Sequence, residues 1–592
     1  MGNSEMAGDD RRFAIKADAF YVRHDDGVWL RNNRGSFTIR GESAYPLVAA
    51  LFSRLDGRRS VEQICADLPA PARRSVSGLL GTLHRNGFVK QLHHPPEEVP
   101  EWMRERYATH LAFLDHHGDR PVHRFRTVRS TPVVCAGQGT ALRAAVGALA
   151  EFGFATVTVV AAEADAADVE PITDADWRIV TAPDWTAVAD VPAARAAAYV
   201  LLAVDDADPA RLADLQVRLH AEGRSTAVLG RCGARVVALP GGSLRRCWEC
   251  AWRRLTPPVT GDATALEPAL VPATIAALHL VQRAFAALAG ITLADAETVA
   301  SVEPLAPVVR VHTVYRHPWC RRHLDEKLPG ARDDEPVRPD LAFAEDDPAL
   351  VAVSDRIVAA TGEWTDRVAG PLLSVGEEDI DQLPLAGSSC RTADPAATAD
   401  GHTEQSLLCR AVSPREARNQ VVLFALENLA RQQAAADRVV YGAGWSVAEA
   451  EYRAALAVAY AAPAGERVWL SPDRRDDRPL RLFLVETLAA ADRHWHETSV
   501  EHLDSGFVRA TIRTTSGPEA VGVGLGEQHA VDQALLQAVH PGTTVAHLAP
   551  PTGTWSAALA RIRRPRPAAA PVLPFLAGHA HLAAVELPGE PT

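Results

Sequence analysis

The chain has 592 residues, 47% hydrophobic and 23% charged, a normal globular balance with length for three or four domains that each bury a core. A net charge of −13 argues against a general nucleic-acid binder, which needs a concentrated basic face, and no run of ~18 uncharged apolar residues is present to cross a bilayer. The N-terminal MGNSEMAGDDRRF lacks an apolar h-region and has Met6 where a myristoylation signal wants Ser or Thr, which reads as cytoplasmic, while eight cysteines are too sparse for a disulfide scaffold and leave core thiols, metal ligands or nucleophiles.

Residues 13–93 form a first unit. AFYVRH, GVWLRNN and GSFTIRG alternate apolar and polar residues between DDG and NNRG turn signals, predicting a three-stranded meander. Three helices should follow: one from Ser43 as N-cap to Leu55, one over SVEQICADL, and one from Ala72 to about Asn86 with Val76, Leu80 and Leu83 on one face. Strands followed by three helices predict a winged helix-turn-helix-like unit. In GSFTIR, Phe37 and Ile39 should face the core, leaving Ser36, Thr38 and Arg40 outward on an edge strand. An extended peptide could add there as a further strand, with Arg73 and Arg74 at the start of the third helix meeting its acidic residues. The alternative for those arginines is solvated surface.

The proline-rich HHPPEEVPEW opens a linker over 94–130. From Thr131 the pattern changes: strand TPVVCAG, a helix from Leu142 to Phe152, strands ATVTVVAAE and AAYVLLAVDD, helix ARLADLQVRLHAEG and strand STAVLGRC. That alternation predicts a parallel, doubly wound sheet over 131–326, with a further helix from about Pro272 to Leu288. KLPGARDDEPVRPD places a second linker at 327–344, and 345–592 reads as a mixed α/β domain. No internal repeat at solenoid period is apparent.

RRCWEC holds Cys247 and Cys250 as a CxxC, and RHPWCRRH holds Cys320 and His323 as a CxxH. A two-residue spacer lets each pair face one centre, and thiolates with an imidazole favour a closed, structural zinc site. The gap of roughly seventy residues costs little, because closure entropy grows slowly with loop length. His317 is the competing fourth ligand. Cys65, Cys135, Cys232, Cys390 and Cys409 read as core or surface thiols.

VVCAGQGTALRAAVG places Gly137 and Gly139 between a strand and a helix, where nucleotide-binding folds hold phosphate. Leu142 stands where a third small residue would be, so the turn alone predicts a retained tight turn more than a live nucleotide site. Glu163 and Asp165 are the acidic candidates after the next strand. Asp205 and Asp206 read as a strand-end acidic turn or, alternatively, as ligands for a magnesium ion.

The order of these parts, with VVCAGQG, CWEC and HPWCRRH, resembles the ocin-ThiF-like, E1-like partner proteins of YcaO azoline cyclodehydratases in thiopeptide and related thiazole/oxazole-modified peptide pathways, over about 13–325. The resemblance implies that 13–93 is a recognition element for a precursor leader peptide and that the ThiF/E1-like middle domain carries structural zinc on Cys247, Cys250 and Cys320, with His323 where a fourth cysteine is usual. It implies further that the chain is non-catalytic, acting in antibiotic biosynthesis by presenting a peptide to a separate YcaO enzyme that performs ATP-dependent cyclodehydration, so that ATP is met only through that partner. The region AAEADAADVEPITDADWRIV lacks the Asn-Arg-Gln stretch of adenylating E1 enzymes. AVSPREARNQVVLFALENLAR and EQHAVDQALLQAVH resemble the helices on which YcaO proteins mount ATP and magnesium ligands, with Gln537 and His540 replacing the expected Glu and Gln, so 345–592 reads as a degenerate YcaO-like domain. A homodimer is an open alternative. Two other functions compete: an E1-like adenylating enzyme acting on a peptide carboxylate, and a winged-helix DNA binder, for which Arg73, Arg74 and Arg85 are a modest basic set.

Overall fold

AFYVRH, GVWLRNN and GSFTIRG fold as three antiparallel strands, Phe20–His24, Gly27–Asn32 and Gly35–Arg40, in a computed structural model. It describes residues 10–169, 175–206, 208–241, 247–255, 270–293, 298–305, 307–317, 320, 348–393, 405–434, 438–465, 467–472, 476–576 and 578–588. Contacts divide the chain into two compact units. The first takes 1–231, 236–244 and 268–309, and the second takes 232–235, 245–267 and 310–592.

In the first unit, alternate residues of the meander point inward: Val28 and Leu30 are buried and Phe37 and Ile39 pack against the same core. Helices Ala44–Phe52, Val61–Ile64 and Ala70–Arg85 follow. Ser43 makes no side-chain cap; the cap with a reciprocal partner is Ser60, paired with Gln63. A second antiparallel sheet, Asp56–Ser60 beside Arg12–Ile15 beside Val89–Leu92, was not expected. Its strands are four or five residues long, and DGRRS carries no alternation to announce it.

The segment read as a linker, 94–130, instead holds helices Glu101–Arg106, Ala108–His117 and Pro121–Ser130. Met103, Tyr107, Leu111, Leu114, Val122, Phe125 and Val128 recur at helical spacing and are buried in the core that also holds strand Val133–Gln138. The prolines at its start mark the entry to this helical layer rather than a structureless connection.

The doubly wound sheet is present. Its parallel strands lie in the order Asp176–Thr181, Thr156–Ala161, Val133–Gln138, Tyr199–Val204 and Ser225–Cys232. In chain order that is 3-2-1-4-5, so the winding reverses between the first and fourth strands. Arg235–Leu239 and Val299–Val302 extend it as an antiparallel pair. Helices Gly139–Glu151 and Leu270–Leu288 share one apolar core beneath it. The latter is long and apolar enough to cross a membrane, yet Ala276, Leu280 and Phe285 are core residues and Arg283 is tied to Thr298.

The second unit is mixed α/β. A sheet runs Leu372–Gly376, Ala386–Thr392, Gln405–Ala411, Thr544–Val545, with helix Pro414–Ala434 packed on it. Two strand-to-helix pieces then repeat one design at an offset of eighty residues. Strand Val439–Gly444 leads to helix Val447–Ala461, and strand Ala520–Gly524 leads to helix Glu527–Val539. A Cβ on Gly442 would lie 2.2 Å from the Ala454 nitrogen, and one on Gly522 would lie 2.2 Å from the Ala534 nitrogen. Each strand therefore lies directly on its own helix, which the sequence shows as GAG and GVG preceding alanines at matched positions.

Candidate functional site: the switch-point turn and the three-cysteine group

Strand Val133–Gln138 is buried along most of its length and ends in the glycine turn at the point where the strand order reverses. Open α/β sheets bind ligands in the crevice outside the strand ends at such a point. Gly137 lies against the neighbouring strand so closely that a Cβ would fall 1.8 Å from the Ala203 carbonyl oxygen. Gly139 has φ +65° and opens the helix. Leu142 is fully buried in the core, so its bulk points away from the turn. The helix-start amides donate to carboxylates: Gly139 N–H to Asp165 Oδ1 at 2.8 Å, Thr140 N–H to Asp205 Oδ2 at 2.6 Å and Ala141 N–H to Asp205 Oδ1 at 3.0 Å. Burial pushes the Asp205 carboxyl above its ordinary pKa, against the pull of those two amides. Asp206 is exposed and reaches Arg231 at 3.5 Å. The acidic turn at 205–206 and the acid after the second strand were legible; their meeting on one set of amides depends on contacts across 26 to 65 residues.

In the second unit, Cys247 and Cys250 lie at the start of helix Trp248–Leu255 and meet Cys320. All three are buried, and their sulfurs lie within 4.8 Å of one another. The Cys247 and Cys320 sulfurs are 3.8 Å apart, the separation two thiolates take on a tetrahedral zinc at ~2.3 Å from each. Among the described residues this is the group able to hold a metal ion. Hydrogen bonds from Cys250 and Cys320 draw the Cys247 thiol well below the ordinary thiol range, so the group readily carries thiolate. Arg254 fixes the approach of the second cysteine segment by donating to the Tyr315 and Arg316 carbonyls at 2.7 and 3.0 Å. His317 donates its backbone N–H to Cys250 Sγ at 3.3 Å, but its ring is not part of the group. Burial first, then Arg254 and Arg253, pull that imidazole down to about 3. His323 lies outside the described residues, as does the expected linker at 327–344. The remaining thiols, Cys65, Cys135, Cys232, Cys390 and Cys409, are all buried.

In the first unit, Gly35–Arg40 is an edge strand with Ser36, Thr38 and Arg40 exposed. Arg73 does not reach outward: its guanidinium donates to the Leu68 and Ala66 carbonyls at 2.7 and 2.8 Å, closing the turn before its own helix. Arg74 is exposed. In the second unit, a concavity is lined by Arg415, Glu416, Trp445, Glu449, His547 and Trp555. Arg415 and Glu416 come from helix Pro414–Ala434, which the sequence singles out, Glu449 from helix Val447–Ala461 and Trp555 from helix Trp555–Leu559. Gln537 donates to the Thr543 carbonyl at 3.1 Å, a structural tie.

No protein-family profile and no curated protein matches the chain. Solved structures do. A heterocyclase in complex with substrate and cofactor shares its fold with a TM-score of 0.53 at 12% identity, over 90% of this chain and 82% of that one. E. coli MccB aligns with a TM-score of 0.39 at 13% identity, over 54% of this chain and 98% of that one, and MccB with ATP with a TM-score of 0.38 at 12% identity, over 52% and 98%. The multidomain α/β architecture with its doubly wound sheet is therefore a fold shared with a solved heterocyclase. The fold that runs through nine-tenths of the chain is that of an enzyme solved with its own substrate and cofactor, which runs against the expectation of a non-catalytic partner that meets ATP only through a separate enzyme. The cyclodehydratase and leader-binding roles attached to that expectation go with it.

Proposed function

We propose that the chain is an E1-like adenylating enzyme that uses ATP itself to activate the carboxylate of a peptide. The observation that carries this reading is the 3-2-1-4-5 strand order with a Gly-x-Gly turn and a helix start at its reversal, the place where such sheets receive a nucleotide's phosphates. In the reaction, a peptide carboxylate oxygen attacks the α-phosphorus of ATP, the bond to the bridging oxygen of pyrophosphate breaks, and pyrophosphate leaves with the electron pair. The peptide then carries an acyl adenylate. Oriented helix-start amides suit the charge developing on the phosphate.

Two further parts complete the reading. The edge strand Gly35–Arg40 adds the peptide substrate as a further strand, with Ser36, Phe37, Thr38, Ile39 and Arg40 as its contact set and Arg74 rather than Arg73 as the cation near the helix start. The three-cysteine group holds structural zinc with His323 as fourth ligand, and 345–592 is a YcaO-like domain that has lost part of its acidic ligand set. The test is product analysis: purified chain, ATP and a peptide should give AMP and pyrophosphate, while the same peptide with an amidated C-terminus should not. ADP and phosphate as products would reject adenylation.

A further inference from the structure

The N-terminal unit carries a charge opposite to that of the chain around it. Residues 10–93 hold fourteen Arg and Lys against eight Asp and Glu, in a chain whose net charge is −13. Among those cations, Arg31, Arg34 and Arg40 are exposed and have no carboxylate partner among the described residues. All three surround strand Gly35–Arg40. Arg31 stands opposite Ser36 on the neighbouring strand, and Arg34 precedes the strand, its side chain close enough to Gly87 that a Cβ there would lie 3.0 Å from Arg34 Cδ. Arg40 is the strand's last residue.

A second observation concerns the two faces of that strand. It is the last strand of its sheet and has a neighbour on one side only. Phe37 and Ile39 are half-buried against the core of the unit, Phe37 meeting Phe88 edge-on at 5.3 Å. Ser36, Thr38 and Arg40 are exposed on the other face. A strand added along the free edge alternates with the same period of two. Its inward side chains therefore meet an apolar face, and its outward side chains lie in a row with Ser36, Thr38 and Arg40, where diagonal neighbours are within reach of arginines.

We infer that the peptide taken by this edge alternates apolar and acidic residues, its apolar side chains inward on Phe37 and Ile39 and its carboxylates outward on Arg31 and Arg40, with Arg34 at the turn that opens the strand. This rests on the strand-addition part of the reading above and deepens it by naming the chemistry of the peptide. Composition alone does not satisfy the site: the acids must fall on every second residue, because a one-residue slip puts carboxylates on the apolar face.

The experiment is fluorescence polarisation of the full-length protein with labelled synthetic peptides that share flanks and a free C-terminal carboxylate. They differ in a central stretch: Leu and Glu alternating, Leu and Gln alternating, or the Leu and Glu of the first rearranged into two blocks. An exposed ion pair is worth up to about fivefold, so the Leu–Glu alternation should bind about tenfold tighter than Leu–Gln at low salt. That margin should largely vanish at ~1 M salt, where charges are screened beyond ~3 Å. The block peptide should bind more weakly than the alternating one, since each block puts side chains on the wrong face. Arg31→Gln/Arg40→Gln should bind the Leu–Glu and Leu–Gln peptides alike; if that variant does not fold, the peptide series on wild type decides alone. Equal binding of the three peptides by wild type, no binding of any, or an undiminished margin in the folded variant would overturn the inference. AMP release from the same mixtures with ATP separates the two readings. Peptides adenylated without the preference leave the adenylating reading standing, whereas the preference without AMP removes that reading and keeps the binding assignment.

Discussion

Replacing Gly137 by Ala should damage the sheet at its most constrained point. The new Cβ would sit 1.8 Å from the Ala203 oxygen, 2.7 Å from its carbonyl carbon and 3.2 Å from its Cα. Contact with the oxygen is about 1.6 Å short of the ordinary 3.4 Å, and the obstacle is backbone, which cannot rotate away. The strands Val133–Gln138 and Tyr199–Val204 pair from end to end, with Gly137 opposite Ala203, so relief means parting them near the turn. Overpacking costs about 1–3 kcal/mol, and one or two weakened ladder hydrogen bonds add about 1 kcal/mol each, for a total of about 3 kcal/mol. Gly147 is the internal control. It lies in the adjoining helix, where a Cβ meets nothing within 4 Å, so Gly147→Ala should be neutral or stabilise by up to ~1 kcal/mol. Urea unfolding followed by tryptophan fluorescence would measure both. A Gly137→Ala protein with the wild-type midpoint, or a Gly147→Ala protein that loses more, would refute the packing argument.

Elemental analysis of protein purified without added metal should give about one zinc per chain, and Cys320→Ser should lose it and aggregate, since metal-binding energy is folding energy; a soluble metal-free wild type with an unchanged melting curve would contradict this. Thr38→Pro should abolish peptide binding measured by fluorescence polarisation while Thr38→Ala changes it little, because the edge strand offers backbone donors rather than this side chain. Equal binding by the proline variant would place the peptide elsewhere. Asp366 accepts from buried His312 at 2.8 Å and from the Val368 and Ala369 amides; although burial opposes it, these bonds hold its carboxyl down to about 2 from 3.8. A depressed folded-state pKa stabilises above the unfolded value, so about 2 kcal/mol should be present above pH ~4 and lost as pH falls from ~4 to ~2. Asp366→Asn should flatten that limb of an acid titration of stability.

The doubly wound sheet was legible because its strands are buried on both faces and so read as near-continuous apolar runs, VVCAG, TVTVVA and YVLLAV. The metal group was legible in part because CxxC spacing is local, whereas a fourth ligand depends on how the chain returns to it. The helices over 101–130 were misread although their apolar residues recur at helical spacing. The two prolines at 95–96 and the dense Arg and His between the core positions masked that period. Arg73 was assigned outward from its place on the helix, but five- and seven-residue contacts back to Leu68 and Ala66 decide where a long side chain goes. Asp165 and Asp205 are strand-end acids in any reading of the sequence; only the parallel register of three strands brings both onto one helix start.

The central claim is that this chain adenylates a peptide with its own ATP site, and isotope exchange between pyrophosphate and ATP tests it most directly. The isolated wild-type protein, given ATP, magnesium, labelled pyrophosphate and a peptide with a free carboxylate, should return label to ATP, and should not do so without the peptide. No exchange from folded, zinc-loaded protein that binds the peptide would contradict the account.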